Sequence, residues 1–323
     1  MAQRKTGQKK KQAVNGGIVS LLIMLVFFAG LVTLNTYYPI SSTLPTWQSI
    51  KTEFDSYFNK PQEDVGYVDG EISVHFIDIG QGNAILIQSN GKNVLVDAGD
   101  NDKGRTVVNY LRAQGVDKLD YAIATHPHAD HIGGMDIVIS NIPTDNIIMP
   151  ELKDSLVPTT KTYEDLIKAI QMHHVNTIKA KVGDSYDLNG GVMRILGPSG
   201  DFDDLNNMSV AVKYTYGNRV FLTTGDMETQ AEEALLATGE SVKADVFSLG
   251  HHGSSTSNDA VFLDAVGANY YIALMGYENR YGHPHQETIQ KVADRGATFL
   301  RSDVNGTIVF TTDGETLNVT TEK

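Results

Sequence analysis

The apolar run Leu119–Ala124 empties directly into Thr125-His126-Pro127-His128-Ala129-Asp130-His131, which puts three histidines and an aspartate within six residues. A run of that kind reads as a buried strand. Histidines two apart at a strand-to-loop exit can aim both imidazoles at one point. Asp130 and His131 then face a second point a few ångströms away. Imidazole nitrogen and carboxylate oxygen are the ligands that Zn²⁺, Mn²⁺ or Fe accepts without thiolates. The segment holds no Lys or Arg and runs into Gly133-Gly134, so a solvated polar loop explains it poorly. It reads as a metal site.

Other apolar strands also end in ligand-type residues. Val94–Val96 leads into Asp97-Ala98-Gly99-Asp100, Val220–Thr224 into Gly225-Asp226, and Asp245–Leu249 into Gly250-His251-His252-Gly253-Ser254. A lone strand-terminal Asp usually caps a turn. Several strand ends with small flanking residues are where a rigid scaffold can present ligands.

Around these motifs the chain reads as strands followed by alternating helices and strands, twice over. Glu71–Ile79, Ala84–Gln88 and Asn93–Val96 read as short strands, Arg105–Gln114 as a helix, and Leu119–Ala124 as the next strand. Tyr163, Leu166, Ile167 and Ile170 lie on one helical face. Paired strands near Val192–Leu196, Val210–Tyr216 and Val220–Thr223 come next. Helix and strand then alternate through Glu228–Ala237, Asp245–Leu249, Asp259–Val266 and Tyr270–Leu274. Two stacked sheets with helices outside fit that order, an α/β (α+β) architecture. His75 sits inside an apolar strand and reads as packing. His173 and His174 end an amphipathic helix, where a polar or cationic residue complements the helix terminus.

The N-terminus is of a different texture. Its first sixteen residues hold five cations (Arg4, Lys5, Lys9, Lys10, Lys11) and no acid, and no charge appears between Gln12 and Ile50. Roughly 20 apolar residues cross a bilayer, which the stretch 17–38 supplies, with Tyr37 and Tyr38 as interfacial anchors. A cleavable signal peptide is the rival, but its apolar region is shorter and no clear A-x-A site follows. The expected organisation is a basic cytoplasmic tail over 1–16, a transmembrane anchor or signal peptide over 17–38, a Pro-containing linker over 39–70 and a folded domain over 71–323. With no cysteine, neither disulfides nor thiolate ligands are available. Beyond residue 16, 21 Lys+Arg face 39 Asp+Glu, a balance of −18. Such a body repels polyanions except where bound cations invert the local potential, which argues against high-affinity nucleic-acid binding.

Taken together, the motifs resemble those of a metallo-β-lactamase-fold hydrolase. His126-Pro127-His128-Ala129-Asp130-His131 has that superfamily's HxHxDH pattern, and Asp97 and Asp226 match its first and fourth motifs. The closer resemblance is to the hydrolase domain of ComEC-type competence proteins and their stand-alone relatives. It is carried by Phe76-Ile77-Asp78-Ile79-Gly80-Gln81-Gly82-Asn83-Ala84, Asn206-Asn207-Met208-Ser209, Leu222-Thr223-Thr224-Gly225-Asp226, His251-His252-Gly253-Ser254 and Tyr281-Gly282-His283-Pro284-His285. It spans Glu71 to the C-terminus and implies a four-layer αββα sandwich. In two places the chain departs from the pattern. Asn83 stands where the family usually has an aspartate. The third-motif histidine is absent, and between His131 and Asp226 the only histidines are His173 and His174.

The resemblance also implies a site with two divalent metal ions, Zn²⁺ or Mn²⁺. His126 and His128 would hold the first; Asp130 and His131, with His251 or His252, the second; Asp226 would bridge them. A hydroxide shared between the ions, its pKa lowered toward ~7, would be the nucleophile. Asp97 would orient a ligand histidine through its free ring nitrogen. An Asn-rich segment (Asn206, Asn207 and Ser209) replaces the third-motif histidine, leaving the first ion fewer protein ligands and more water. His283 and His285 would donate protons or bind a phosphate oxygen, or else form an exposed turn fixed by Pro284.

The function expected is hydrolysis of a phosphodiester outside the membrane, of a nucleic acid, a nucleotide or an envelope component. A lactonase or β-lactam hydrolase is the alternative enzyme. A membrane-tethered DNA-uptake or assembly module with a degenerate site is the alternative without catalysis. The five N-terminal cations should stay inside, so protease added to intact cells should remove the domain from residue 71 onward. Protection until lysis overturns that topology, and release of the domain into the medium favours the signal peptide.

Overall fold

The computed structural model describes residues 24, 26–38, 40, 41, 44–50 and 72–323. The basic tail, residues 17–23 and 25 of the expected anchor, and most of the expected linker lie outside the described residues. The chain divides into two compact units, Met1–Glu63 and Asp64–Lys323. In the first, residues 26–37 are helical, and Trp47 Nε1 donates to Thr33 Oγ1 at 2.9 Å. Among the described residues no helix is long and apolar enough to cross a membrane.

The second unit is built on two sheets. One has the order β15-β14-β1-β2-β3-β4-β5-β6, from β1 (Ile72–Phe76), β2 (Ile85–Ser89), β3 (Lys92–Val96), β4 (Leu119–Ile123), β5 (Thr144–Met149), β6 (Asn176–Lys179), β14 (Ile308–Thr312) and β15 (Leu317–Thr321). The other has the order β13-β12-β11-β10-β9-β8-β7, from β7 (Ser185–Leu188), β8 (Gly191–Ile195), β9 (Val212–Tyr216), β10 (Arg219–Thr223), β11 (Val246–Ser248), β12 (Tyr270–Ala273) and β13 (Thr298–Arg301). The helices that pack on the sheets or carry the site are α1 (Gly104–Ala113), the four-residue α2 (Ala129–Ile132), α3 (Met135–Asn141), α4 (Lys161–Met172), α5 (Thr229–Ala237), α6 (Ala260–Val266) and α7 (Gln286–Asp294).

Period-two alternation puts successive side chains on opposite faces of a strand. Here both faces are apolar. Ile85, Ile87, Val94 and Val96 point into the space between the sheets, while Leu86 and Leu95 point outward beneath α1, α3 and α4. In the second sheet Phe221 and Val246 face inward, and Leu222 and Phe247 face outward beneath α5 and α6. Three apolar layers separate four structural layers, so the expected two-sheet sandwich with helices outside is what forms. Burial on both faces also explains why these strands read as nearly continuous apolar runs.

Each sheet changes character once. From β1 to β3 and from β8 to β10 the pairing is antiparallel. At β3/β4 and at β10/β11 it becomes parallel. The ligand-type residues follow β3, β4, β10 and β11, the first parallel pair of each sheet. Parallel strands deliver their C-terminal ends to the same edge, so four short loops converge there.

One histidine outside that edge is a core residue. His75 lies between Tyr110 Oη at 2.7 Å on Nδ1 and Ser73 Oγ at 2.7 Å on Nε2. Burial pushes its pKa down from 6.5 to about 3. Below pH 6.5 the unfolded chain takes up a proton that the folded one refuses. The stability from neutral His75 is therefore complete above 6.5 and is lost as pH falls toward 3, at up to about 1.4 kcal/mol per pH unit. In chelator, His75→Gln should lose less stability than the parent between about pH 7 and about pH 5. Equal losses in urea midpoints would overturn this account.

Candidate metal centre

The site begins with Asp97, which leaves β3 at φ 59 and is fully buried. Its Oδ1 accepts the Thr125 backbone N–H at 2.9 Å. Its Oδ2 accepts from Thr125 Oγ1 at 2.7 Å, Asn83 Nδ2 at 2.9 Å and His131 Nδ1 at 2.7 Å. A carboxylate this deep is tolerable only with such a set of donors. Asn83 in addition donates its backbone N–H to Asp130 O, and its own carbonyl accepts from Gly99 N, both at 3.0 Å. The turn before it can lie that close only because Gly82 has no side chain: a Cβ there would sit 2.4 Å from Asp130 O.

Three more strand ends supply the remaining groups. After β4, His126 is fully buried, its Nε2 2.9 Å from Nδ1 of His128. Asp130 and His131 lie on α2, whose first turn follows His128 directly. After β10, Asp226 turns both oxygens into the site, and its backbone N–H donates to Ser209 Oγ at 3.0 Å. Ser209 Oγ lies 3.3 Å from His126 Nδ1. After β11 come His251 and His252, at φ 51 and φ 55. The two sheets meet at this point through Val210 N–H donating to Thr125 O at 2.9 Å.

The carboxylate of Asp226 divides the cluster. Its Oδ1 is 3.0 Å from His131 Nε2 and 3.9 Å from His252 Nε2, while Oδ2 is 3.7 Å from His126 Nε2 and 3.6 Å from His251 Nε2. Two sets have donor atoms close enough to share one ion each: His126, His131 and Asp226, and Asp130, His131 and His252. His252 Nδ1 faces Leu274 O at 2.8 Å, as His131 Nδ1 faces Asp97. Their Nε2 atoms are buried and face carboxylates, His131 at 3.0 Å from Asp226 Oδ1 and His252 at 3.3 Å from Asp130 Oδ2. An oxygen on Nδ1, with Nε2 turned toward carboxylates that can share an ion, is how a protein presents histidine to a metal. The donor set therefore fits a divalent cation.

The charge balance makes the same point. Burial pushes the His126 and His128 pKa values down, and neighbouring His131 reinforces this. Burial also opposes a proton on His131 and His252, but Asp226 beside both, with Asp97 at His131 and Asp130 at His252, holds those two up instead. Burial likewise opposes charge on Asp226 and Asp130. The histidine charges and hydrogen bonds outweigh it and hold both carboxyls low. Without an ion, protons on two histidines neutralise the carboxylates; a cation would take over that role.

A cleft of about 640 Å³ opens over the cluster, with His128, Asp130, Asp226, His251 and His252 in its floor. His283 joins its wall, half-buried, its pKa lowered to about 4 by burial and by the neighbouring His252, His251 and His285. His285 does not reach it: Nδ1 accepts the Ser255 backbone N–H at 2.9 Å and Nε2 faces Tyr281 O at 3.3 Å. Asn207 also turns away, donating to Asp204 and accepting the Glu228 N–H at 3.0 Å. Sequence reasoning passed over Asn279 and Arg280 on the rim and named their neighbour there, Asp100, only within the motif that begins at Asp97. Rim side chains carry no apolar periodicity that would have marked them.

Residues 77–276, more than half of the chain, match the metallo-beta-lactamase superfamily. The chain belongs to that superfamily. ComE operon protein 3 of Bacillus subtilis strain 168 is 29% identical over 260 residues, 74% of this chain and 33% of that protein. Competence protein ComA of Neisseria gonorrhoeae is 32% identical over 248 residues, 75% of this chain and 32% of that one. Recombination protein 2 of Haemophilus influenzae is 27% identical, covering 73% of this chain and 28% of its own length. The chain thus spans about a third of the length of these curated relatives. They are competence proteins of ComEC type, so the resemblance read from the motifs is borne out. Metallo-beta-lactamase membership and the His/Asp cluster together mark a metal-dependent hydrolase fold.

Adding Zn²⁺ or Mn²⁺ to chelator-treated protein should raise its Tm, by the equivalent of about 2.7 kcal/mol at roughly 100 times Kd. Asp226→Asn should shrink that gain, and so should acid, because the ion displaces protons from His131 and His252. An unchanged Tm would overturn the metal centre.

Proposed function

We propose that this chain is an extracytoplasmic phosphodiesterase with two divalent cations, Zn²⁺ or Mn²⁺, at the C-terminal edges of its two sheets. The observation that carries the reading is the divided approach to Asp226, with His126 on one oxygen and His131 on the other. His126 and His128 would hold one ion, and Asp130, His131 and His252 the other, with Asp226 placed to serve both. His252 rather than His251 is the ligand. Its Nδ1 is committed to a backbone carbonyl, whereas His251 is partly exposed with Nδ1 near Glu228 and Thr256.

When bound, such ions activate water and neutralise charge on both the attacking and leaving oxygens of a phosphodiester. The chain's own groups do the rest. Asp97 fixes the His131 ring, so that Nε2 faces Asp226. His251 and His283 face the cleft and meet the substrate; His283, neutral at physiological pH, accepts a hydrogen bond or a proton there. His285 shapes the loop that carries His283. Ser209 and Asn207 hold the segment beside Asp226 and Glu228. A wide cleft with one guanidinium, Arg280, and no basic track suits a small diester or a short stretch of strand better than a long polyanion.

The extracytoplasmic location is supported by the five cations ahead of a charge-free stretch. The membrane is then a partner through the N-terminal segment. Purified protein with Mn²⁺ or Zn²⁺ should cleave bis-p-nitrophenyl phosphate, and Asp130→Ala should abolish the activity. Negligible diester cleavage beside robust lactone opening would replace this reading with the lactonase.

A further inference from the structure

The turn that carries His252 is costly to hold. His251 and His252 are consecutive non-glycine residues in the left-handed region, which persists only where the surroundings over-determine it. Directly under that turn lies Asn258, fully buried. Its Oδ1 accepts the Gly250 N–H at 2.9 Å, and its Nδ2 donates to Gly250 O at 2.9 Å and to Ser254 O at 3.1 Å. One side chain thus grips both ends of the His251-His252 turn. Asn258 is itself left-handed, at φ 63, and is held in turn. Glu232, fully buried on α5, accepts the Asn258 N–H on Oε1 at 2.7 Å and the Asp259 N–H on Oε2 at 2.9 Å. Helix α5 begins three residues after Asp226.

We infer that Glu232 and Asn258 are positioning residues for the metal centre: they couple the Asp226 limb to the His252 limb and fix where His252 Nε2 points. The inference rests on the proposal that His252 is a metal ligand. The required chemistry is specific. Two convergent N–H groups need an acceptor on each carboxylate oxygen, and an amide offers only one, so Glu232→Gln turns a donor against a donor. Asn258→Gly removes the grip on the turn while tolerating the left-handed backbone. Neither residue lines the cleft or belongs to either set of candidate ligands.

The test is Zn²⁺ affinity of the full chain, measured by competition with a chromophoric chelator, together with the visible spectrum of the Co²⁺-loaded protein. Leu235→Ala, also on α5 and fully buried in the core, controls for lost stability alone. Glu232→Gln and Asn258→Gly should bind Zn²⁺ about 10–100-fold more weakly than the parent and alter the Co²⁺ bands. Leu235→Ala should lower the unfolding midpoint and leave affinity and bands as in the parent. Parent-like affinity in both brace variants, or equal weakening by Leu235→Ala, overturns the inference. A parent that binds no Zn²⁺ overturns the metal reading itself.

Discussion

A buried carboxylate is costly, and each donor turned toward it reduces that cost. Asp97 recruits four: two from Thr125, one from Asn83 and one from His131. These donors belong to the loops after β1 and β4, and Asp97 itself to the loop after β3, so none of the three loops can leave without stranding the charge. Asp97 thereby sets the height of His131 above the sheet, and Asp226 then takes its place relative to His131 from the opposite sheet. Asn83 suits this arrangement because its amide is a donor. An aspartate there would set two acceptors 2.9 Å apart and would need a proton or a cation between them.

Most of this organisation was legible in the sequence for one reason. Strands buried on both faces show themselves as apolar runs, and each run that mattered ended in a small residue and a ligand type. The order of strands, then helices alternating with strands, occurs twice, matching the change from antiparallel to parallel pairing in each sheet. Strands β5, β6, β7, β13, β14 and β15 were not anticipated. β6 and β15 are sheet edges with mostly exposed or half-exposed residues, so their patterns are weak. β14 is buried, but besides the adjacent β15 its partner is β1, at the other end of the folded domain, a pairing that local pattern does not encode.

At the site, the sequence named the cluster but left open which of His251 and His252 faces inward. Adjacent residues point differently according to backbone torsion, and here both are left-handed, a state set by Asn258 and Glu232 rather than by either histidine. His285 illustrates the same limit. The resemblance implied that both it and His283 donate protons or bind a phosphate oxygen, whereas the loop uses the His285 ring against the backbone and leaves His283 in the cleft wall.

The electrostatics of the cleft order its events. Among its lining residues, Asp100, Asp130 and Asp226 are acidic and Arg280 is the single Lys or Arg, within a chain of net charge −13. A phosphodiester approaching that surface without cations meets repulsion that one exposed guanidinium offsets weakly. Protons on His131 and His252 do not help, because they are already committed to Asp97, Asp130 and Asp226. On the proposed reading, two divalent ions would reverse the sign of the floor, while the rim, with Asp100 beside Arg280, would add no net attraction. Attraction is then short-ranged and centred on the ligands. A substrate whose charge is concentrated at one phosphorus would gain from it fully, whereas each further phosphate along a strand would meet a rim that offers no net attraction, within a chain of net charge −13.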